Sequence, residues 1–222
     1  MLIVPELRLI GASSWGSASD AFRGAPSLVF RQAWLPAAQE KLRPGVVRLG
    51  WQKATIVVMA RLVDEVIFTR ATEDHQRFWQ LGDVFEIFLK GADLEEYLEL
   101  HVAPSGRRSQ FRFASRRVVE ELRKGTGRIE NFVVKAPLFD FRVRTVTGAW
   151  EILASIHSSS LGLRVSSLAG SAVLASFGRY DYSDDAELPV LSSTSPHEEL
   201  NFHRQQEWTK LVFCHSTLDP LH

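Results

Sequence analysis

The sequence predicts an all-β fold, an antiparallel β-sandwich of immunoglobulin or jelly-roll type with minor helix. Three observations carry this expectation. Short segments rich in Val, Ile, Phe and Thr recur along the chain, turn residues separate them at hairpin distance, and helical periodicity is scarce. Val46–Trp51 and Ala54–Val63 read as the first two strands, the second rich enough in β-branched residues to be central. Asp83–Lys90, Glu95–Ala103 and Ser109–Ala114 follow, separated by Gly91-Ala92-Asp93 and Pro104-Ser105-Gly106. Further strands are expected at Arg128–Lys135, Phe139–Thr147, Ala149–His157, Ser171–Tyr180 and Trp208–Phe213. The first 45 residues are weakly patterned: Gly11–Ser17 reads as a loop, and Ala37–Leu42 as a short helix between Pro36 and Pro44. Arg116–Lys124 mixes signals, since Val118-Val119 favours strand and Glu120-Glu121-Leu122 favours helix. No linker-like stretch divides the 222 residues, so a single domain, 1–222, is expected.

Composition narrows the function. Lys+Arg and Asp+Glu are 26 each, so the chain lacks the overall basic charge expected of a nucleic-acid binder. One cysteine, Cys214, excludes an intrachain disulfide and a multi-cysteine zinc site. No apolar run approaches the roughly 20 residues of a membrane span, so no membrane partner is expected. The N-terminus shows neither a basic region nor an apolar run of roughly 7–15 residues. The expectation is a cytoplasmic protein, or a secreted one whose leader is missing from the sequence.

Strand alternation gathers polar groups on one face. In Asp83–Lys90, Phe85, Ile87 and Leu89 point one way, and Glu86 the other. In the next strand Leu98, Leu100 and Val102 join the core, leaving Tyr97, Glu99 and His101 opposite. Placing Phe111 and Phe113 in the core puts Gln110 and Arg112 outward. Glu86, Tyr97, Glu99, His101, Gln110 and Arg112 are then expected on one sheet face. Carboxylates accept pairs of hydroxyl hydrogens, Arg donates in a planar fork, and an aromatic ring can stack on a sugar's C–H face. An ordinary outward face of an antiparallel sheet is also polar.

Several phrases bear on this choice. Ala54–Asp64 is an apolar strand ending in Asp; Trp79-Gln80-Leu81-Gly82-Asp83-Val84-Phe85-Glu86 places a tryptophan before a Gly-Asp and a strand carboxylate. Tyr97–Gly106 ends in a Pro-x-Gly turn, Trp150–Ile156 precedes Leu161-Gly162, and Asn201-Phe202-His203-Arg204 precedes Trp208. In this order, over about residues 46–213, the set resembles family 9 carbohydrate-binding modules and the wider DOMON-like group. The resemblance implies a β-sandwich that binds carbohydrate, performs no chemistry and carries structural calcium. It also implies a terminal sugar clamped between two aromatic rings. Trp79 matches the first ring, Glu86 the strand carboxylate and Asn201 the asparagine near the second ring. Arg204 stands where that second ring is expected, and Trp208 is the nearest aromatic substitute. The expected ligand-binding set is therefore Trp79, Glu86, Glu99, His101, Arg112, Asn201, Arg204 and Trp208.

Asp181, Asp184 and Asp185 form an acidic loop suited to calcium, which takes about six to eight oxygen ligands. The seven histidines include no HExxH, although His101 and His157 could meet across a sheet. Glu86 and Glu99 keep a glycosidase reading open if their carboxyls are about 5–5.5 or 6.5–9.5 Å apart. A DOMON-like interaction module without a sugar site is the other alternative. The basic stretch from Arg107 to Arg128 offers such a module an acidic partner.

Overall fold

In a computed structural model, which describes residues 1–7, 14–182 and 188–215, two sheets pack face to face. The strands are β1 Leu2–Pro5, β2 Ser27–Val29, β3 Gly45–Gln52, β4 Thr55–Val63, β5 Val84–Gly91, β6 Tyr97–Val102 and β7 Arg108–Phe113. β8 Asp140–Val146, β9 Ala149–His157, β10 Ala172–Asp181, β11 Val190–Ser193 and β12 Thr209–Cys214 follow. The larger sheet runs β1-β12-β10-β5-β6-β7, with β11 sharing an edge of β10. The smaller runs β2-β3-β4-β9-β8. Named strands pair antiparallel except β1 with β12.

The main core lies between the sheets. Phe85, Ile87 and Leu89 of β5 and Leu98, Leu100 and Val102 of β6 face Trp51, Val58 and Leu62 of β3 and β4 and Trp150 and Ile152 of β9. Trp51 is fully buried, and its Nε1–H is shared between the carbonyls of Val4 (3.1 Å) and Cys214 (3.2 Å), tying together the two ends of the described chain.

Both outer faces are also partly covered. Helix α1 (Trp15–Ala21) and Phe22 pack on Val57, Met59 and Leu153 of the small sheet. Helix α2 (Arg116–Arg123) and the 201–208 segment cover the outer face of β5–β7, where Phe88, Tyr97, Phe111, Phe113, Val119, Phe202 and Trp208 form a second apolar cluster.

Several local expectations need correction. The segment expected to be a loop at Gly11–Ser17 becomes helical from Trp15, because the Ser14 hydroxyl caps the first turn by accepting from Ser17 N (3.1 Å). Ala37–Leu42 forms turns without a helix, and Arg128–Lys135 holds a 3-10 turn at Ile129–Phe132 instead of a strand. The ambiguous Arg116–Lys124 resolves as helix α2, whose Val119 drops onto the outer aromatic cluster. Part of the basic stretch is paired locally, by Arg116–Glu120 and Arg117–Glu121 on the helix and Arg112–Glu96 beside it. No helix among the described residues is long and apolar enough to cross a membrane.

Trp51→Ala is expected to destabilise the fold by about 3–5 kcal/mol, the usual cost of removing a large buried aromatic. Urea denaturation measures it; a cost below about 1 kcal/mol would show that the ring does not hold the ends together.

Candidate functional site

Alternation along β5 and β6 places the candidate residues. With Phe85 and Ile87 in the core, Glu86 must emerge on the outer face; with Leu98 and Leu100 in the core, so must Tyr97, Glu99 and His101. The register then lines up Gly178, Glu86, His101 and Ser109 across β10, β5, β6 and β7. The adjacent row is Ser176, Phe88, Glu99 and Phe111. Gly178 is needed at its place: a Cβ there would come within 2.9 Å of both Glu86 Oε2 and the Phe202 ring.

Glu86, Phe88 and Glu99 of these rows form the floor of a cleft of about 470 Å³. Trp79 and Arg77 stand on one side, helix α2 with Val119, Leu122 and Arg123 on another, and Asn201, Phe202 and His203 on a third. Trp79 is half-buried in a 3-10 turn, Phe78–Gln80. Gly82, at φ +141, reverses the chain immediately after that turn, and Tyr182 Oη donates to the Trp79 carbonyl at 2.6 Å. The indole packs edge-on against His101, with centroids 5.6 Å apart, and borders the cleft. Tyr180, also half-buried, lines the same cleft; Trp79 and Tyr180 both border an adjoining hollow of about 760 Å³ as well.

Glu86, Glu99 and His101 are almost wholly buried. His101 Nε2 lies 2.7 Å from Glu99 Oε1 and 3.2 Å from Glu86 Oε1. His203 Nε2 is 3.7 Å from Glu99 Oε2, and its Nδ1 is 2.8 Å from Tyr97 Oη. Glu99 Oε2 and His101 Nδ1 have no hydrogen-bond partner. Burial pushes the Glu86 carboxyl up to about 8; the Glu99 charge adds to the rise and His101 opposes it. Burial also pushes Glu99 upward, but the neighbouring His203 and His101 outweigh it and hold the carboxyl below its ordinary range. Burial works against a charged His101, yet the two glutamates raise it overall. His203, buried beyond the compensation Glu99 offers, falls to about 4. Burial therefore favours the protonated form of Glu86 and the neutral form of His203, while the ion pairing favours an ionised Glu99 and a charged His101. The floor presents both donors and acceptors. The two glutamates converge on one imidazole.

The structure gathers Trp79, Glu86, Glu99 and Asn201 at the cleft, with His101 beneath its floor. It separates three other residues from it. Arg112 is on the opposite face of β7, where it bonds Glu96 and the Ser160 carbonyl (2.9 Å); Gln110 shares that face. Phe111 and Phe113 turn outward because the outer face is itself covered by α2 and is apolar there. Trp208 is buried, with its ring against Phe88 and Tyr97 and its Nε1–H donated to the Phe202 carbonyl at 2.8 Å. Arg204 is engaged by Glu198, Glu199 and Glu207, at 2.9, 2.8 and 2.6 Å. The expectation missed His203, although it lies inside the Asn201–Arg204 phrase. It also missed Tyr180 and the α2 wall, which no local pattern marks.

Asp184 and Asp185 lie outside the described residues. Asp181 is buried with Asp64 and Asp83 around Arg179, whose Nη2 is 2.9 Å from Asp181 and 3.4 Å from Asp64. Asp83 accepts from Phe68 N (2.6 Å) and Tyr182 N (2.7 Å), and Asp64 from Val66 N (3.0 Å). Within this cluster the carboxylate oxygens Asp64 Oδ2 and Asp181 Oδ2 are without a hydrogen bond, and both face the guanidinium. Asp64, Asp83 and Asp181 each bring a carboxylate oxygen within 4.8 Å of the others beside the Arg179 guanidinium. His157 is on the opposite sheet from His101, bonded to Ser159.

Comparison places the fold. No family model matches the chain, and no curated protein matches it. Among solved structures, a Bacteroides uniformis protein described as carbohydrate-binding superposes with a TM-score of 0.74 at 15% identity, covering 96% of this chain and 98% of that one. A family 9 carbohydrate-binding module from Caldicellulosiruptor kristjanssonii, in complex with cellotriose, gives 0.64 at 12% identity over 100% and 97% of the two chains. The glucose complex from that organism gives 0.65 at 12% identity over 99% of each. The chain has the β-sandwich fold of these proteins.

The site makes stability depend on pH. Glu86, and Asp83 with its carboxyl also raised by burial to about 8, keep protons that the unfolded chain releases near pH 4. Their contribution is fully present below that range and is lost as pH rises through 8. His203 acts in the opposite sense, but only between about pH 4 and 6.5. Stability is therefore expected to fall from pH 6.5 to 8, by up to about 1.4 kcal/mol per pH unit for each carboxyl. Glu86→Gln should flatten this slope; equal slopes in urea denaturations of both proteins would contradict the protonated Glu86.

Proposed function

We propose that the chain binds carbohydrate without transforming it, in the cleft between Trp79 and the β5–β6 floor. One observation carries the reading: an aromatic ring half-open to a cleft stands directly over buried groups that both donate and accept hydrogen bonds. A sugar needs that combination, an apolar surface for its C–H face and paired partners for its hydroxyls. Support also comes from the shared fold with modules seen in complex with cellotriose and glucose. Tyr180 is the proposed second ring, since Trp208 is buried and Arg204 is tied up by three glutamates. Glu86, Glu99 and Asn201 would meet the hydroxyls.

A panel of mono- and oligosaccharides, with and without calcium, tests the reading through tryptophan fluorescence. A saturable change is expected, with affinity at least ten-fold weaker in Trp79→Ala. Absence of any response would favour an interaction module without a sugar site. An undiminished response in Trp79→Ala would move the site elsewhere.

A further inference from the structure

We propose that Glu86, Glu99 and His101 form a site for a divalent transition metal of the zinc class. This goes beyond the glycan reading and does not depend on it. Two carboxylates and an imidazole are a donor set suited to zinc, manganese or iron, and the hard cation calcium gains little from the imidazole. The geometry matches. Bonds of about 2.0–2.2 Å set neighbouring ligand atoms of a tetrahedral zinc site roughly 3.3–3.6 Å apart. One ligand atom each of Glu86, Glu99 and His101 already lies within 4.8 Å of the other two, and His101 Nε2 is 2.7 Å from Glu99 Oε1 and 3.2 Å from Glu86 Oε1. A slight spreading of the three side chains makes room for an ion. Two carboxylates match a charge of +2, and the ion would displace the protons now shared among the three groups.

A second observation is independent of this clustering. Glu99 is 95% buried, borders the cleft, and its Oε2 has no hydrogen-bond donor. An orphaned carboxylate oxygen at that depth is costly; this one lies on the His203 side of the carboxylate, and an ion would satisfy it only if Glu99 bound through both oxygens. The surroundings also resemble an outer shell. Tyr97 Oη meets His203 Nδ1 at 2.8 Å, and this fixes His203 with its Nε2 3.7 Å from Glu99 Oε2, next to the carboxylate though not bonded to it. Outer partners of this kind typically affect metal affinity about 10–100-fold. His203 is therefore a positioning residue. Three protein ligands leave a fourth position, which opens toward the cleft through Glu86 and Glu99. The other buried acidic group, Asp64, Asp83 and Asp181, offers no equivalent, because Arg179 already provides its positive charge.

The test uses the full chain, freed of metal by a chelator and studied without sugar. Zinc is titrated by calorimetry, and cobalt by its visible absorption. One equivalent per chain is expected, with a cobalt spectrum that shows nitrogen and oxygen ligation. Glu99→Gln should weaken binding at least ten-fold and abolish the cobalt spectrum. His203→Gln should weaken binding about 10–100-fold, and His157→Gln, on the other sheet, should leave it unchanged. If Glu99→Gln does not fold by circular dichroism, His203→Gln and the parent titration decide. No stoichiometric binding by the folded parent would overturn the proposal. So would undiminished binding in folded Glu99→Gln or His203→Gln. Sugar titration of the metal-free protein reads the glycan function separately, so either can fail without the other.

Discussion

Alternation along two paired strands organises this molecule. Each residue of β5 and β6 that enters the core forces its neighbour onto the outer face. Phe85, Ile87, Leu98 and Leu100 seal the sandwich, and the same register delivers Glu86, Glu99 and His101 together on the other side. Core and site are two faces of one constraint. A one-residue slip of β6 against β5 would bury the polar groups between the sheets and expose the leucines.

Polar groups on an outer face are usually solvated, and here they are not. Helix α2 and the 201–208 segment roof the face, and the outer aromatic cluster holds that roof in place. Loss of water is what makes the floor chemically unusual. It raises the Glu86 carboxyl and leaves His101 compensated only by the two glutamates. The same roof leaves Trp79 and Tyr180 half-open at the mouth, so apolar and polar surfaces meet in one cleft.

The sequence made the longer strands of both sheets legible. β-branched runs and Gly, Pro and Asp turns located β3 to β7 and β8, β9, β10 and β12 to within a few residues. The short strands β1, β2 and β11 are held by pairing across long sequence separations, which no local pattern carries. In the site, Glu86, Glu99 and His101 were legible because alternation on β5 and β6 is clean, and Trp79 because it precedes the Gly-Asp and the strand carboxylate in one phrase. Alternation fails at β7, where Phe111 and Phe113 have an apolar destination on either side and only the α2 roof decides between them. Arg112 was misplaced for that reason. Trp208 and Arg204 were plausible from spacing alone; packing against Phe88 and three glutamate partners determine where they lie.

The central claim is that the roofed face of β5 and β6 is a carbohydrate site. A crystal structure of the protein soaked with glucose or cellotriose tests it most directly. The account expects a sugar ring against Trp79, with hydroxyls within hydrogen-bond distance of Glu86 or Glu99. A sugar bound only outside this cleft, or an empty cleft in crystals saturated with both sugars, would contradict it.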